Sequence, residues 1–117
     1  MRRELVLIAE MIEAADQAIA LVAGVDAPRL AADRQRRDAL LWNFTVLGEA
    51  AAQLDTAVKK RFPQVEWARP SQLRNRIIHG YWSIDFEVLH TTATYDLPAF
   101  VAQLRKVLAE LDAEDKT

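Results

Sequence analysis

Eight consecutive residues, Arg74-Asn75-Arg76-Ile77-Ile78-His79-Gly80-Tyr81, concentrate polar groups that core packing does not need. Packing accounts for Ile77 and Ile78 in this stretch, and for Leu73 just before it, but for little else. An imidazole with an ordinary pKa of about 6.5 can accept or donate a proton near neutrality. A guanidinium holds phosphate oxygens through two parallel hydrogen bonds. Together they suit phosphate-ester chemistry. RNA supplies its own nucleophile, the ribose 2′-hydroxyl, so its cleavage needs only a proton acceptor or donor and stabilisation of charge on the phosphorus oxygens. The run contains no carboxylate, the donor that Mg²⁺ and Mn²⁺ prefer, so we expect neither a metal nor another cofactor.

On a helix with about 100° per residue, Asn75 and Arg76 fall roughly 40° and 60° to either side of His79, while Arg74 lies about 140° away. His79 is thus flanked by an amide and a guanidinium, and Arg74 points elsewhere. A plainer reading stands beside the chemical one. A histidine near a helix C-terminus interacts favourably with the helix dipole, and arginines are common there too.

The elements that must position this run are helical. Leu5, Ile8, Met11, Ile12, Ala15, Ile19 and Val22 recur at spacings of three and four, which predicts a first helix ending near Gly24. After a polar stretch, Asp33-Arg34-Gln35-Arg36-Arg37-Asp38, the residues Leu40, Phe44, Leu47, Ala51, Leu54 and Val58 predict a longer second helix. Gly48 lies inside it, where glycine costs about 1 kcal/mol relative to alanine, with Ala52 one turn on. Another helix should pack closely there. A third, short helix is expected over 70–79, with Gly80 just past its end, so the polar run lies at a helix C-terminus. Ser83 or Asp85 can cap the final helix, which buries Leu97, Phe100, Leu104, Val107 and Leu111, and Pro98 predicts a kink or break over 94–97. The expected architecture is an all-α, up-and-down bundle of four or five helices in one domain spanning 1–117, frayed over 110–117.

Composition narrows the function classes. The 117 residues contain no cysteine, which excludes disulfides, thiolate zinc sites and a cysteine nucleophile. With 15 Lys and Arg against 17 Asp and Glu, no global field attracts nucleic acid, so an anion-binding surface must be local or be made by joining two chains. The basic start, Met1-Arg2-Arg3, is followed by an apolar stretch broken by Glu10, Glu13 and Asp16. We therefore expect neither a signal peptide nor a membrane span, and a soluble, cytoplasmic protein.

The pattern arginine, polar residue, three further positions, histidine, any residue, tyrosine is filled by Arg74, Asn75, His79 and Tyr81. Asn43, Gly48-Glu49-Ala50, Phe62-Pro63, Trp67 and Asp96-Leu97-Pro98 accompany it. With these residues the chain resembles the HEPN superfamily, and within it the HepT-type toxins, over nearly its whole length. The resemblance implies a homodimer in which motif residues of both chains face one cleft and cleave RNA without metal. It also implies a toxin encoded beside a minimal nucleotidyltransferase antitoxin that silences it by transferring AMP to the motif tyrosine, here Tyr81. The added phosphate would compete with RNA for the same cations. One departure is Arg69-Pro70-Ser71, where the proline makes the start of the third helix uncertain.

On this reading His79 is the general acid or base, Arg74 stabilises the developing phosphorane charge, and Asn75 orients. Arg76 either shares the phosphate or pairs with an acidic residue. A two-fold axis would bring the arginines of one chain towards the histidine of the other. Two alternatives stand beside this reading: a non-catalytic HEPN dimer that binds a nucleotidyltransferase, and a structural dimerisation module in which the motif only caps a helix. Elsewhere, His90 reads as structural, Trp42 and Trp67 as packing anchors, Trp82 beside the motif as either an anchor or a base-stacking platform, and the clusters Arg34, Arg36, Arg37 and Lys59-Lys60-Arg61 as solvated faces.

Overall fold

A computed structural model describes residues 2–116, leaving Met1 and Thr117 outside the described residues. Among the described residues every element is helical, as expected, but there are seven α-helices: α1 (Arg2–Val22), α2 (Ala27–Ala32), α3 (Arg34–Gln53), α4 (Thr56–Arg61), α5 (Ala68–Gly80), α6 (Phe86–Thr91) and α7 (Leu97–Asp115). The four long ones pack together, α1 on α3 and α7 and α3 on α5, and the helices outnumber the four or five expected. The three short ones, six residues each, are additions.

α1 runs antiparallel to α3: Arg3, at one end, bonds Gln53, while the Leu21 carbonyl at the other accepts from Arg36. Ile8, Met11 and Ala15 of α1 meet Leu40, Phe44 and Leu47 of α3 and Leu104 and Leu111 of α7 in one buried core. Each fully buried aliphatic side chain contributes about 1.5–3 kcal/mol. Gly24 takes φ +72° just after α1, the left-handed conformation that lets the chain turn away. The next helices are each started by an aspartate: Asp26 accepts from the Arg29 N–H and Asp33 from the Arg36 N–H.

The second helix is shorter than its spacing predicts. It stops at Gln53, Leu54 is extended, and Asp55 caps a separate α4, so Val58 lies on a new helix although it is buried. The break is fixed from afar. Glu4, which is buried, accepts the Asp55 N–H at 3.1 Å and Arg3 at 3.0 Å. Ala52, placed on the Gly48 stripe by its spacing, is exposed.

Asp85, not Ser83, caps α6 by accepting from the Glu87 N–H, and Ser83 instead donates to the Gly80 carbonyl. The break expected near Pro98 is a π turn, Thr92–Asp96, in which the Leu97 N–H reaches back to the Thr92 carbonyl. A wider turn is the adjustment expected where a proline ring would otherwise meet the carbonyl four residues back. The stretch expected to fray from Glu110 is helical to Asp115, with Leu111 buried and Arg61 paired with Glu114. Among the described residues no helix is long and apolar enough to cross a membrane.

His90 is half-buried and bonded to the Val25 carbonyl, a structural role. Arg36 and Arg37 donate to the Leu21 and Ala31 carbonyls, and Arg34 pairs with Asp38. Of the tryptophans, Trp67 is a buried anchor that donates its indole N–H to the Phe62 carbonyl. Trp42, 66% exposed, corrects the sequence reading, while Trp82, 78% exposed, is no packing anchor, the first of the two readings its place beside the motif allowed.

Candidate active site

The polar run occupies the C-terminal half of α5, whose placement depends on Gly48. A Cβ built on Gly48 would lie 2.3 Å from the Arg74 Cβ and 2.5 Å from the Pro70 carbonyl oxygen, so only a glycine admits α5 at this distance. Ser71 donates to the Gly48 carbonyl at 3.2 Å and fastens the same crossing. Pro70 is no obstacle. It lies in the first turn, where backbone N–H groups have no intrahelical partner, and the helix begins at Ala68.

This crossing fixes how the helix is turned about its axis. Ile77 is buried, Leu73 half-buried, and Asn75, Arg76, Ile78 and His79 face outwards. Arg74 lies apart from them, as its angle on the helix predicts. Its side chain is 22% exposed, and its Nη1 lies 3.0 Å from a carboxylate oxygen of Glu49 on α3. Its Nε is buried with no hydrogen-bond partner. Arg76 has no ion-pair partner among the described residues, although an acidic partner was one of the two readings its sequence allowed.

Gly80 ends α5 with φ −163°, an extended value, and not with the left-handed turn expected of a glycine beyond a helix end. A tight 3-10 turn, Tyr81–Ser83, follows. It sets the Tyr81 and Trp82 rings edge to face, 5.3 Å between centroids and 73° between planes, with Tyr81 62% exposed. The end of α5 thus presents an imidazole, an amide, a free guanidinium and a phenol to solvent, while a second guanidinium is held to one side. Such a set can move a proton and bind an anion, though within one chain Arg74 and His79 are turned apart.

The family profile described as ribonuclease HepT-like matches residues 11–107, which includes the whole motif. The chain belongs to the HepT-like ribonuclease family. Among its relatives, a Methanocaldococcus jannaschii protein provisionally named an RNase is 25% identical over 84 residues, 72% of this chain and 69% of its own. The probable ribonuclease HepT of Thermococcus cleftensis is 25% identical over 75 residues, 64% of this chain and 68% of its own. A second Methanocaldococcus jannaschii protein, also provisionally named an RNase, is 22% identical over 71 residues, 61% of this chain and 59% of its own. No solved structure matches.

Sequence reasoning missed Glu49 as the partner of Arg74, although it lies in the Gly48-Glu49-Ala50 run that marks the HepT-like resemblance. It also missed the surroundings of Arg76, where α5 faces the π turn. There Arg69 bonds Glu66 at 2.8 Å and lies 3.8 Å from Asp96, and the Glu66 hydrogen bond raises the Arg69 guanidinium above its usual range.

Proposed function

We propose that this chain is a metal-independent endoribonuclease, the toxin of a toxin–antitoxin pair. The observation that carries the reading is the exposed His79 at the end of α5, with Asn75 and an unpaired Arg76 on the same open face, in a chain of the HepT-like family. The ribose 2′-oxygen attacks phosphorus, losing its proton, and the bond to the 5′-oxygen breaks, leaving a 2′,3′-cyclic phosphate and a 5′-hydroxyl. His79 accepts the first proton or protonates the leaving oxygen. Arg74 stabilises the charge that develops on the phosphoryl oxygens, and Asn75 orients. Because Arg74 and His79 diverge on one helix, the complete site takes these residues from two copies related by a two-fold axis.

The exposed phenol of Tyr81 suits the regulatory part of the reading, in which a nucleotidyltransferase antitoxin in the same cytoplasm transfers AMP from ATP to the tyrosine oxygen, which gives up its proton as pyrophosphate leaves. A phosphodiester there would add negative charge and bulk two residues from His79, competing with RNA. The Glu49–Arg74 pair favours a second reading, because a guanidinium already neutralised is less available to RNA: a catalytically silent dimer that binds the nucleotidyltransferase.

The deciding experiment is RNA cleavage in EDTA, with fragment ends analysed for cyclic phosphate, comparing wild type with His79→Ala. Loss of cleavage in the variant with the dimer intact supports the enzyme. Equal activity in both assigns the cutting elsewhere. Inactive wild type shown by mass spectrometry to be unmodified at Tyr81 favours the silent dimer.

A further inference from the structure

Between α5 and the helical run from α6 to α7 lies an open cleft of about 540 Å³. Its floor is apolar, with Leu73 and Phe100 half-buried in it. Its polar lining includes three amides, Gln64, Gln72 and Gln103, the guanidinium of Arg76 and the ring of Tyr95. Tyr95 stands on the π turn and is 75% exposed. Arg69, Glu66 and Asp96 also line the cleft, and the two carboxylates meet the charge of Arg69, so that among the described residues Arg76 is the lining cation with no ion-pair partner.

An apolar floor, an aromatic edge and amides with both donor and acceptor atoms match a flat group with apolar faces and hydrogen-bonding edges. Single-stranded RNA offers such a group in an unstacked base, which proteins hold by aromatic or guanidinium stacking and by polar contacts to its edges. Arg76 ties the cleft to the motif. It lies one helical turn before His79, about 4.5 Å along the axis and about 60° around it.

We propose that this cleft receives one unstacked base of the RNA, from a nucleotide neighbouring the phosphate at His79, with Tyr95 against the base and Arg76 on the connecting phosphate. This rests on the ribonuclease reading for its ligand, but not on catalysis. Tyr95 is therefore a specificity residue, selecting which nucleotide flanks the cut.

The test separates binding from cutting. Fluorescein-labelled 2′-O-methyl RNA hexamers, one for each base, lack the nucleophile and cannot be cleaved, so anisotropy reads affinity alone. Wild type should prefer one hexamer. Tyr95→Ala should weaken that complex about fivefold to a hundredfold, the range for loss of one base–aromatic contact, and remove the preference, while Tyr95→Phe keeps both. Arg76→Gln should weaken all four hexamers together. In cleavage of a randomised RNA, Tyr95→Ala should cut with altered flanking bases. Wild type that binds with a Tyr95-dependent preference yet never cuts supports the cleft and removes the enzyme reading. Wild type that cuts while Tyr95→Ala keeps wild-type affinity and flanking bases overturns the cleft alone, and absence of binding and cutting together removes both. If Tyr95→Ala leaves RNA affinity unchanged but weakens binding of the nucleotidyltransferase, the cleft is a protein-docking site and the proposal fails.

Discussion

The imidazole of His79 is exposed at the end of α5, whereas the guanidinium of Arg74 is held against α3 by Glu49. Substituting the two should therefore have different consequences. His79→Ala removes a surface group, so stability should stay within about 0.5 kcal/mol of wild type. Cleavage should fall by about 10²- to 10⁴-fold, as for loss of a general acid or base. Thermal melts beside the cleavage assay check both halves. Glu49→Gln keeps a hydrogen-bond acceptor beside Arg74 but removes the charge. Since Glu49 is half exposed, stability should change by no more than about 1 kcal/mol in urea denaturation. We expect a several-fold drop in the single-turnover cleavage rate, because a neutral amide aims Arg74 less firmly than the carboxylate; a rise would mean instead that Glu49 withholds the guanidinium from RNA. An unchanged rate would mean that Arg74 needs no such aim. The motif could be read from the chain because its residues are adjacent. The Arg74–Glu49 pair could not, because it depends on how two helices cross.

At the scale of elements, Gly48 carries the most weight. The sequence shows that something must approach a glycine within a helix, and the structure identifies it as the first half of α5. Gly48→Ala gains about 1 kcal/mol of helix propensity but sets a methyl against a backbone carbonyl and a Cβ, neither of which can swing aside. With an overpacking penalty of about 3 kcal/mol, a net loss of about 2 kcal/mol should appear as a lower urea midpoint. Retained wild-type stability would show that α5 can shift outwards freely. Helix faces were readable for a physical reason: burial repeats every three or four residues. The break at Leu54 and Asp55 left no such trace. Leu54 and Val58 are both buried and keep helical spacing, and the break is held by Glu4, 51 positions away. The exposure of Trp42 and Trp82 was equally hidden, since residue type alone favours burying an indole.

For the whole molecule, Ile78, Tyr81 and Trp82 form exposed apolar surface around the end of α5. Large apolar groups beside functional residues mark surfaces that a partner covers. If that partner is a second copy, Trp82→Glu should convert a dimer to a monomer in analytical ultracentrifugation and abolish cleavage without lowering the melting temperature. A dimer that persists would move the interface elsewhere, for example to the face bearing Trp42. The π turn bears on how this chain tolerates changes in length. Leu89 and Leu97, both buried, are eight residues apart. On a regular helix eight residues overshoot by about 80°, whereas seven fall only about 20° short. The stretch Thr92–Asp96 thus carries one supernumerary residue, folded into a wide turn so that the buried stripes before and after it stay in line. Deleting Tyr95 together with Pro98→Ala, so that no ring is left inside a regular helix, should give a protein that still unfolds cooperatively. Deleting Ala102 would swing Leu104, Val107 and Leu111 about 100° off the core and abolish folding. A single insertion of this kind adds a side chain to the rim of a groove while the packing behind it goes unaltered, so groove and core can vary independently along the same helix.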